Sequence, residues 1–295
     1  MSDCPWVCPV CREALCVDGH TMACPEGHSY DIARQGYVNL LIAGQRRSRR
    51  PGDSPEMIEA RARFLATGAY ERLSNTLAWV VGRAAVAAHE RQGMVPVVLD
   101  VGCGNGHHTR HIASNMTLAH SALLPLPAVV CGIDVAKVGV ATAARVHPSG
   151  WYAVASAADL PLATASVDVA VNVFGPVMEA ELARVMHGGG TVVIAHPAPR
   201  HLEELRRLVY ATPRPHEHKD PLRHGGEWFT RAGSVSVTFP FFTDDGGVLR
   251  DLFAMTPYRW HAPPDIGERL DHAAAAGFST EIDVVITSYS RRPAS

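Results

Sequence analysis

From residue 70 onward, apolar residues gather in short runs that alternate with longer stretches of mixed, helix-like periodicity. Short apolar runs flanked by glycine or polar residues are typical of buried strands, and the mixed stretches are typical of amphipathic helices. The pattern predicts strands at 95–99, 128–134, 151–155, 167–174 and 191–195. It predicts helices at 70–90, from about 107, at 179–186 and after 201. This alternation indicates an α/β fold with a doubly wound, Rossmann-like sheet.

The segments on either side of this alternation predict further elements. A helix is expected to begin after Asp53 or Ser54, with Pro55 in its first turn, and to end near Gly68. Toward the C-terminus, strands are expected near 234–240 and 281–290, around a helix that starts near 244. The Pro- and His-rich stretch 211–220 predicts a loop, whose histidines are interpreted as solvated residues, with metal binding as the alternative. The expected organisation is therefore a small module at 1–45, a basic linker and helix at 46–69, and a catalytic domain at 70–295.

Four residues of the N-terminal module form a Cys-x2-Cys-x12-Cys-x3-His array: Cys8, Cys11, Cys24 and His28. Each pair can supply two ligands from one tight turn, and the twelve intervening residues can form a hairpin that brings the two pairs together. Four protein ligands would close the coordination sphere, which is typical of a structural zinc site. The alternative is a set of unmetallated thiols in a small core.

Composition narrows the classes of protein that need to be considered. The chain has 295 residues, 47% of them hydrophobic, and a formal net charge of −2, so any contact with nucleic acid must depend on a local patch. Seven cysteines, five of them within the first 24 residues, favour a metal site in a reducing compartment over a disulfide framework. The N-terminus does not resemble a leader, and no uninterrupted apolar run is long enough to span a membrane. A cytoplasmic location without membrane contact is expected.

The densest positive charge lies in one short run, which contains Arg46, Arg47, Arg49 and Arg50. Glycine and proline flank the run, so an exposed loop is expected. Guanidinium groups bind phosphate oxygens well, and the neighbouring zinc module favours an RNA contact. A solvated linker is the alternative.

A glycine-rich turn follows the first predicted strand and precedes a helix, and it contains Asp100, Gly102, Gly104 and Gly106. The second strand ends at Asp134, where a carboxylate can accept hydrogen bonds from both ribose hydroxyls. An acidic residue directly before the glycines would repel a pyrophosphate but suits an aminoacyl group. The turn therefore favours S-adenosylmethionine over a dinucleotide.

Three further residues follow later strands and are candidates for the same site. Asp159 can accept from the exocyclic amine of adenine, although a turn or cap would also explain it. Phe174, at the end of the fourth strand, can stack on a nucleobase, and core filling is the alternative. Asn172 is a candidate for contacts with the cofactor and for orienting the edge of the target base. We assign Asn172 and Phe174 to base positioning.

Several motifs together resemble the 23S ribosomal RNA guanine-N1 methyltransferase family, over nearly the whole chain. They are Cys-Pro-x-Cys, Cys-Pro-x-x-His, Gln-Gly-Tyr-Val-Asn-Leu-Leu at 35–41, Pro-Gly-Asp-Ser at 51–54, Leu-Asp-Val-Gly-Cys-Gly at 99–104, Phe174-x-Pro176 and Met-Thr-Pro at 255–257. The chain departs from the family's aromatic-Ala-Pro pattern at Gly175. The backbone freedom of this glycine is expected to affect the pose of the target base.

The resemblance implies an N-terminal zinc module for RNA recognition, a Rossmann-like methyltransferase domain and a homodimer. It implies that Cys8, Cys11, Cys24 and His28 hold zinc. It also implies that the cofactor is bound by Asp100, Gly102, Asp134, Asp159 and Asn172. The implied substrate is a guanine in hairpin thirty-five of 23S RNA, and one branch of the family confers resistance to mycinosylated macrolides such as tylosin and mycinamicin.

Two other functions remain compatible with the residues. One is a methyltransferase of a small molecule or protein with a purely structural zinc site. The other is an RNA-binding protein that retains the cofactor without transferring a methyl group. For the RNA enzyme, the N1 proton of guanine must leave before or during methyl transfer, and a paired N1 is inaccessible, so a loop or flipped guanine is the expected target.

Overall fold

A computed structural model describes residues 4–42, 52–116, 127–216 and 220–293. A small antiparallel sheet near the N-terminus consists of β1 (Cys16–Asp18), β2 (Thr21–Ala23) and β3 (Ser29–Asp31). The large sheet has the order β10-β11-β9-β8-β5-β6-β7-β4. Its strands are β4 (Tyr37–Asn39), β5 (Val97–Val101), β6 (Val129–Asp134), β7 (Trp151–Val154), β8 (Val167–Val173), β9 (Met186–Pro197), β10 (Phe229–Thr243) and β11 (Phe278–Arg291). The predicted α/β fold with an N-terminal module is confirmed.

Helices connect the strands of the large sheet. They are α1 (Pro55–Ala66), α2 (Glu71–Gln92), α3 (His107–Met116), α4 (Lys137–Val146), α5 (Glu179–Val185), α6 (Glu203–Val209), α7 (Gly246–Ala254) and α8 (Ile266–Ala275), with a 3-10 helix at Pro257–His261. The start of α1 follows the sequence signals, because the Ser54 hydroxyl caps it by accepting from the Met57 amide at 3.3 Å. Among the helices of the described ranges, none is both long and apolar enough to cross a membrane.

The large sheet is parallel except for one strand. β11 runs antiparallel to both of its neighbours, β9 and β10. Strand order reverses around β5, whose neighbours are β6 on one side and β8 on the other. In open sheets of this kind ligands bind beyond the carboxyl ends of the strands at the reversal. The residues that follow β5, β6 and β8 therefore define where the site must lie.

Some predicted boundaries are wrong in instructive ways. β5 begins two residues later than predicted, so Asp100 lies inside a buried strand rather than in the turn. The strand predicted at 191–195 begins five residues earlier, because β9 runs from Met186 through the glycines 188–190. A register shift between Val167 and Val169 of β8 accommodates this irregular stretch. The C-terminal region also contains α8, which the pattern did not indicate.

The N-terminal module does not stand apart from the catalytic domain. Strand β4, which belongs to the predicted module, pairs in parallel with β7 at the edge of the large sheet. The Trp6 side chain is 1% exposed and lies in one apolar cluster with Leu160 and Leu162 of the loop that follows β7. The boundary predicted at residue 45 thus does not separate two independent cores.

Candidate cofactor and metal sites

The four residues predicted to bind zinc converge in the structure. The potential ligand atoms of Cys8, Cys11, Cys24 and His28 all lie within 4.8 Å of one another. The Sγ atoms of Cys11 and Cys24 are 3.5 Å apart, and Cys24 Sγ is 3.4 Å from His28 Nδ1. With Zn–S bonds of about 2.3 Å, a tetrahedral ion requires ligand separations of this order. Three thiolates and one imidazole form the donor set of a closed structural zinc site, and they fit that ion.

Local backbone structure brings the two ligand pairs together. The second pair is held by a turn in which Gly27, at φ +83°, donates to the Cys24 carbonyl at 3.0 Å. The β1–β2 hairpin lies between the pairs, as predicted. Behind the cluster, the Tyr30 hydroxyl lies 3.2 Å from Cys8 Sγ and the Val10 amide donates to the same sulfur at 3.4 Å. Such donors stabilise a thiolate ligand.

The zinc-ligand cluster is docked against the loop that follows β7. The Val7 amide donates to the Pro161 carbonyl at 2.9 Å. Arg12 pairs with the Asp159 carboxylate and donates to the Leu160 carbonyl at 3.3 Å. The carboxylate predicted to contact adenine therefore also connects the module to the catalytic domain, and its contact with adenine stays a prediction.

The glycine loop at 102–106 is shaped by its backbone. Gly102, Gly104 and Gly106 have φ values of +85°, +53° and +78°, a region that side chains disfavour. The Gly104 amide donates to Asp134 Oδ2 at 3.0 Å, and the Ala136 amide donates to Oδ1 at 2.8 Å. Burial raises the pKa of Asp134, and these two amide bonds oppose the rise. Asp134 thus braces the glycine loop at the end of β6, where the ribose was predicted to bind.

Asp100 is the buried carboxylate of the site, with 3% of its surface exposed. Thr109 Oγ1 donates to its Oδ2 at 2.5 Å, whereas Oδ1 has no hydrogen-bond partner among the described residues. Burial raises the pKa of Asp100 to about 6; the Thr109 bond opposes this and the charge of Asp134 adds to it. A buried carboxylate oxygen without a donor suits a cationic ligand group. The aminoacyl ammonium of S-adenosylmethionine fits this requirement.

Asn172 holds the end of β5 to the loop after β8. Its Nδ2 donates to the Val101 carbonyl at 3.0 Å and to the Pro176 carbonyl at 3.2 Å, and its Oδ1 accepts from the Gly175 amide at 3.2 Å. The side chain is 2% exposed. Because both of its N–H groups are engaged, Asn172 fixes the position of the loop that carries Phe174.

Phe174 is 42% exposed and has a left-handed φ of +57°. Its ring stacks on His201, with centroids 5.5 Å apart and planes at 27°. Gly175 does not have a positive φ, and its effect on the pose of the target base stays a prediction. A Cβ there would lie 2.8 Å from Asn172 Nδ2, so the glycine makes room for the amide that braces the loop.

Sequence reasoning missed a group of residues that covers the glycine loop. Arg61 of α1 pairs with Asp53 at 2.5 Å, and its Nη2 lies 3.5 Å from the Met255 carbonyl oxygen. Gly52 packs against the loop after β6, where an added Cβ would lie 3.0 Å from Ala136 Cβ. Nothing in the helical pattern separates Arg61 from its neighbour Arg63. The conspicuous Pro-Gly-Asp-Ser and Met-Thr-Pro motifs were the available signal.

The four arginines predicted to bind RNA, Arg46, Arg47, Arg49 and Arg50, lie outside the described residues. Their contact with RNA stays a prediction.

A doubly wound sheet with one reversed strand, a glycine loop and acidic residues at the ends of β5 and β6 define a methyltransferase domain. The Cys3His cluster adds a zinc ribbon to it. Comparison with known families agrees. A zinc-ribbon model described as "RlmA, N-terminal" matches residues 6–49, and a model described as "Methyltransferase domain" matches residues 98–190.

Three curated relatives cover most of the chain. The 23S rRNA (guanine(748)-N(1))-methyltransferase of Streptomyces fradiae is 34% identical over 88% of this chain and 86% of its own length. A relative from Micromonospora griseorubida is 39% identical over 67% of each chain, and one from Bacillus subtilis is 28% identical over 95% of each; both names give the same family. The chain belongs to the 23S rRNA guanine-N1-methyltransferase family. The resemblance inferred from its motifs is confirmed.

Proposed function

We propose that this protein methylates N1 of a guanine in 23S ribosomal RNA, with S-adenosylmethionine as the methyl donor. The observation that carries the proposal is the presence, in one chain of this family, of the Cys3His cluster and of the Asp100 and Asp134 carboxylates beside the glycine loop. We take the region around these two carboxylates as the cofactor pocket. The cluster suits a module that shapes a surface, and the pocket suits a non-phosphate cofactor. A dinucleotide would place its pyrophosphate beside the unpartnered Asp100 oxygen, where the charges repel.

In this proposal the pocket holds the cofactor along the carboxyl ends of β5, β6 and β7. Asp100 accepts from the ammonium, Asp134 from the ribose hydroxyls and Asp159 from the adenine amine. Gly102, Gly104 and Gly106 let the backbone approach the ligand without side chains in the way. When bound, S-adenosylmethionine supplies an electrophilic methyl group on a sulfonium. The protein's contribution is to align that methyl group with N1 of the guanine.

Phe174 supplies the platform for the target base. A guanine with an accessible N1 is unpaired, so its flat faces need a stacking partner. The exposed ring of Phe174 offers one, while His201 supports its other side. Asn172 acts through this loop as a positioning residue.

His201 does not take the N1 proton. Burial, with smaller contributions from the charges of His216 and Arg206, lowers the pKa of His201 to about 3. Its Nδ1 accepts from the Asp283 amide at 3.2 Å, so Nε2 carries the ring proton. The ring is therefore neutral and lacks a free lone pair for a proton near pH 7.

The finer assignments rest on the family resemblance. We place the guanine in hairpin thirty-five, with Arg46, Arg47, Arg49 and Arg50 contacting RNA phosphates and a cytoplasmic homodimer as the working form. We also propose that the modification protects ribosomes from mycinosylated macrolides such as tylosin. Methylated and unmethylated ribosomes should then differ in inhibition by tylosin in cell-free translation.

Primer extension tests the central proposal. Unmethylated 23S RNA is incubated with enzyme and cofactor, and reverse transcriptase should stop at one guanine in hairpin thirty-five because an N1-methyl group blocks base pairing. Phe174→Ala should reduce the initial rate of methylation about tenfold or more, on the scale of one base–aromatic stack, while Phe174→Tyr keeps most of it. Cofactor turnover without any stop in 23S RNA would overturn the proposal.

A further inference from the structure

Arg61 places a guanidinium group directly over the glycine loop. Its Nη1 lies 3.2 Å from the position that a Cβ on Gly104 would occupy. The same helix, α1, also packs near the loop. A Cβ on Gly139 would lie 3.2 Å from Ile58 Cδ1 of α1 and 2.8 Å from the Gly104 carbonyl oxygen. The Arg61 side chain is about a quarter exposed. It therefore borders the pocket and is held close to its wall.

Among the residues that the structure describes, partners are seen for one of the three guanidinium nitrogens of Arg61. Nη2 binds Asp53 Oδ2 at 2.5 Å and approaches the Met255 carbonyl oxygen at 3.5 Å. Within the described ranges, Nη1 and Nε make no hydrogen bond. An arginine has five N–H groups in a fixed fork, so the nitrogen nearest the glycine loop keeps its donors available while the other anchors the side chain.

The charges of the pocket leave one part of the cofactor without a partner. The aminoacyl end of S-adenosylmethionine carries a carboxylate as well as an ammonium group. Asp100 and Asp134 both lie at this pocket, and their carboxylates repel a third one. Arg61 is close enough for its charge to act on Asp134. A cation at this place can offset the repulsion and bind the carboxylate through its fork.

We propose that Arg61 binds the α-carboxylate of S-adenosylmethionine, and that Asp53 and the Met255 carbonyl oxygen hold the guanidinium in place for it. The inference rests on the cofactor named in the proposed function and is independent of the RNA substrate. It also gives a role to two motifs that neither the zinc-ligand cluster nor the proposed base platform involves. Pro-Gly-Asp-Ser supplies Asp53, and Met-Thr-Pro supplies the carbonyl of Met255, so the two motifs meet at Arg61.

A simpler role for Arg61 is to tie α1 to the segment after α7. That role concerns the protein alone, so its loss would weaken every ligand of the pocket to a similar extent. Binding of the carboxylate instead makes the effect of a substitution depend on whether the ligand has that carboxylate. The two roles therefore differ in a measurable way.

The test uses calorimetric titration of the full-length protein with S-adenosylmethionine and with decarboxylated S-adenosylmethionine, which keeps the ammonium and sulfonium groups. Arg61→Met should weaken S-adenosylmethionine about 10- to 100-fold, the scale of a lost charge-assisted hydrogen bond, and should change the decarboxylated ligand less than threefold. Arg61→Lys keeps the charge without the fork and should recover part of the affinity. The matched control is Arg63→Met, because Arg63 lies on the same helix and pairs with Asp251 at 2.6 Å, away from the glycine loop. It should change neither ligand.

An equal loss for both ligands would overturn the proposal in favour of the structural tie, and so would unchanged binding in Arg61→Met. Thermal unfolding of each variant separates a local effect from general destabilisation. Failure of the RNA proposal gives a different result. The cofactor would bind normally, Arg61→Met would still weaken S-adenosylmethionine more than the decarboxylated ligand, and primer extension would show no stop. If the wild-type protein bound neither ligand, the cofactor assignment and the role of Arg61 would fall together.

Discussion

The zinc-ligand cluster and the glycine loop hold their shapes by opposite means. In the cluster, four side chains converge within 4.8 Å, and the donor set needs a cation between them. In the glycine loop, the decisive feature is the absence of side chains at three positions of positive φ, together with amides that donate to Asp134. One region is organised by ligand atoms suited to a metal, and the other by close packing of a backbone without side chains. They should therefore fail in different ways.

The comparison also shows how far the two regions depend on each other. The cluster contacts the loop after β7 through Arg12 and Val7, whereas the glycine loop follows β5 and contacts β6 and α4. The ends of the cofactor pocket thus have different supports. Loss of zinc should loosen the end near Asp159 and leave the end near Asp100 and Asp134 in place.

The largest effect is expected from loss of the metal. Cys11→Ser removes one of four ligands, and structural zinc in comparable small modules contributes on the order of 10 kcal/mol of binding free energy. The module should unfold locally, and methylation of 23S RNA should be lost. S-adenosylmethionine binding should weaken less than tenfold, because the hydrogen bonds that hold Asp100 and Asp134 come from Thr109, Gly104 and Ala136, outside the module. Elemental analysis measures the zinc content, and hydrogen exchange over residues 155–162 measures the local loosening. Primer extension measures RNA methylation, and calorimetry measures the cofactor affinity.

Cys16→Ser is the matched control for this variant, because Cys16 is exposed and outside the cluster. It should retain about one equivalent of zinc per chain and full methylation. Complete RNA methylation by a zinc-free Cys11→Ser protein would contradict the division between the regions, as would complete loss of cofactor binding.

An intermediate effect is expected at Gly106, where an added methyl group tests the glycine loop. In Gly106→Ala the Cβ would lie 2.6 Å from Ala143 Cα, a backbone atom that cannot rotate away, at a φ of +78°. Overpacking and left-handed strain together should lower the free energy of unfolding by about 2–5 kcal/mol. Urea unfolding measures the loss.

Gly36→Ala provides the control for backbone strain alone. Gly36 has φ +92°, and nothing lies within 4 Å of its Cβ position. Its substitution should cost about 1–2 kcal/mol. Equal losses at the two glycines would mean that close packing of the glycine loop on α4 contributes nothing.

The smallest effect concerns the charge of Asp100. The pKa of Asp100, about 6, lies above the ordinary value for an aspartate, so protonation of Asp100 stabilises the folded, ligand-free protein. This stabilisation is lost as the pH rises through 6. Binding of an ammonium group needs the ionised form. The affinity for S-adenosylmethionine should therefore fall about tenfold for each pH unit below 6 and level off above 7, a change of about 1.4 kcal/mol per unit. Calorimetric titration between pH 5 and 8 measures this.

Asp100→Asn should bind the cofactor weakly at every pH in that window. A slope that persists in this variant would assign the titration to another group, and a flat profile in the wild-type protein would remove the ammonium from Asp100.

Features that depend on neighbours in the chain could be predicted from the sequence. The zinc quartet is local, since each ligand pair lies in one turn, and its convergence is confirmed. The order of strands from residue 70, and of the helices other than α4 and α8, follows from apolar periodicity, and the cap at Ser54 follows from its side-chain chemistry. These signals involve residues a few positions apart, so spacing alone reveals them.

Features that depend on distant partners could not be predicted. Arg61 pairs with Asp53 and approaches the carbonyl oxygen of Met255, which is nearly two hundred residues further along the chain. β4 is only three residues long, too short for its period to indicate which sheet it joins. The burial of Asp100 inside β5 was not predicted, because this strand begins and ends two residues later than the apolar pattern indicates. The stacking role of Phe174 and the adenine contact of Asp159 stay predictions.

The pairing of β4 with β7 also constrains the order in which the chain can assemble. Tyr37 lies opposite Tyr152, so this edge of the sheet closes a loop of about 115 residues. The zinc ligands span only residues 8–28 and can gather around a metal soon after they leave the ribosome. β4 must wait until β7 has been synthesised, and long-range pairings of this kind form slowly. The zinc ligands can thus gather well before the strand on which the module docks has been made.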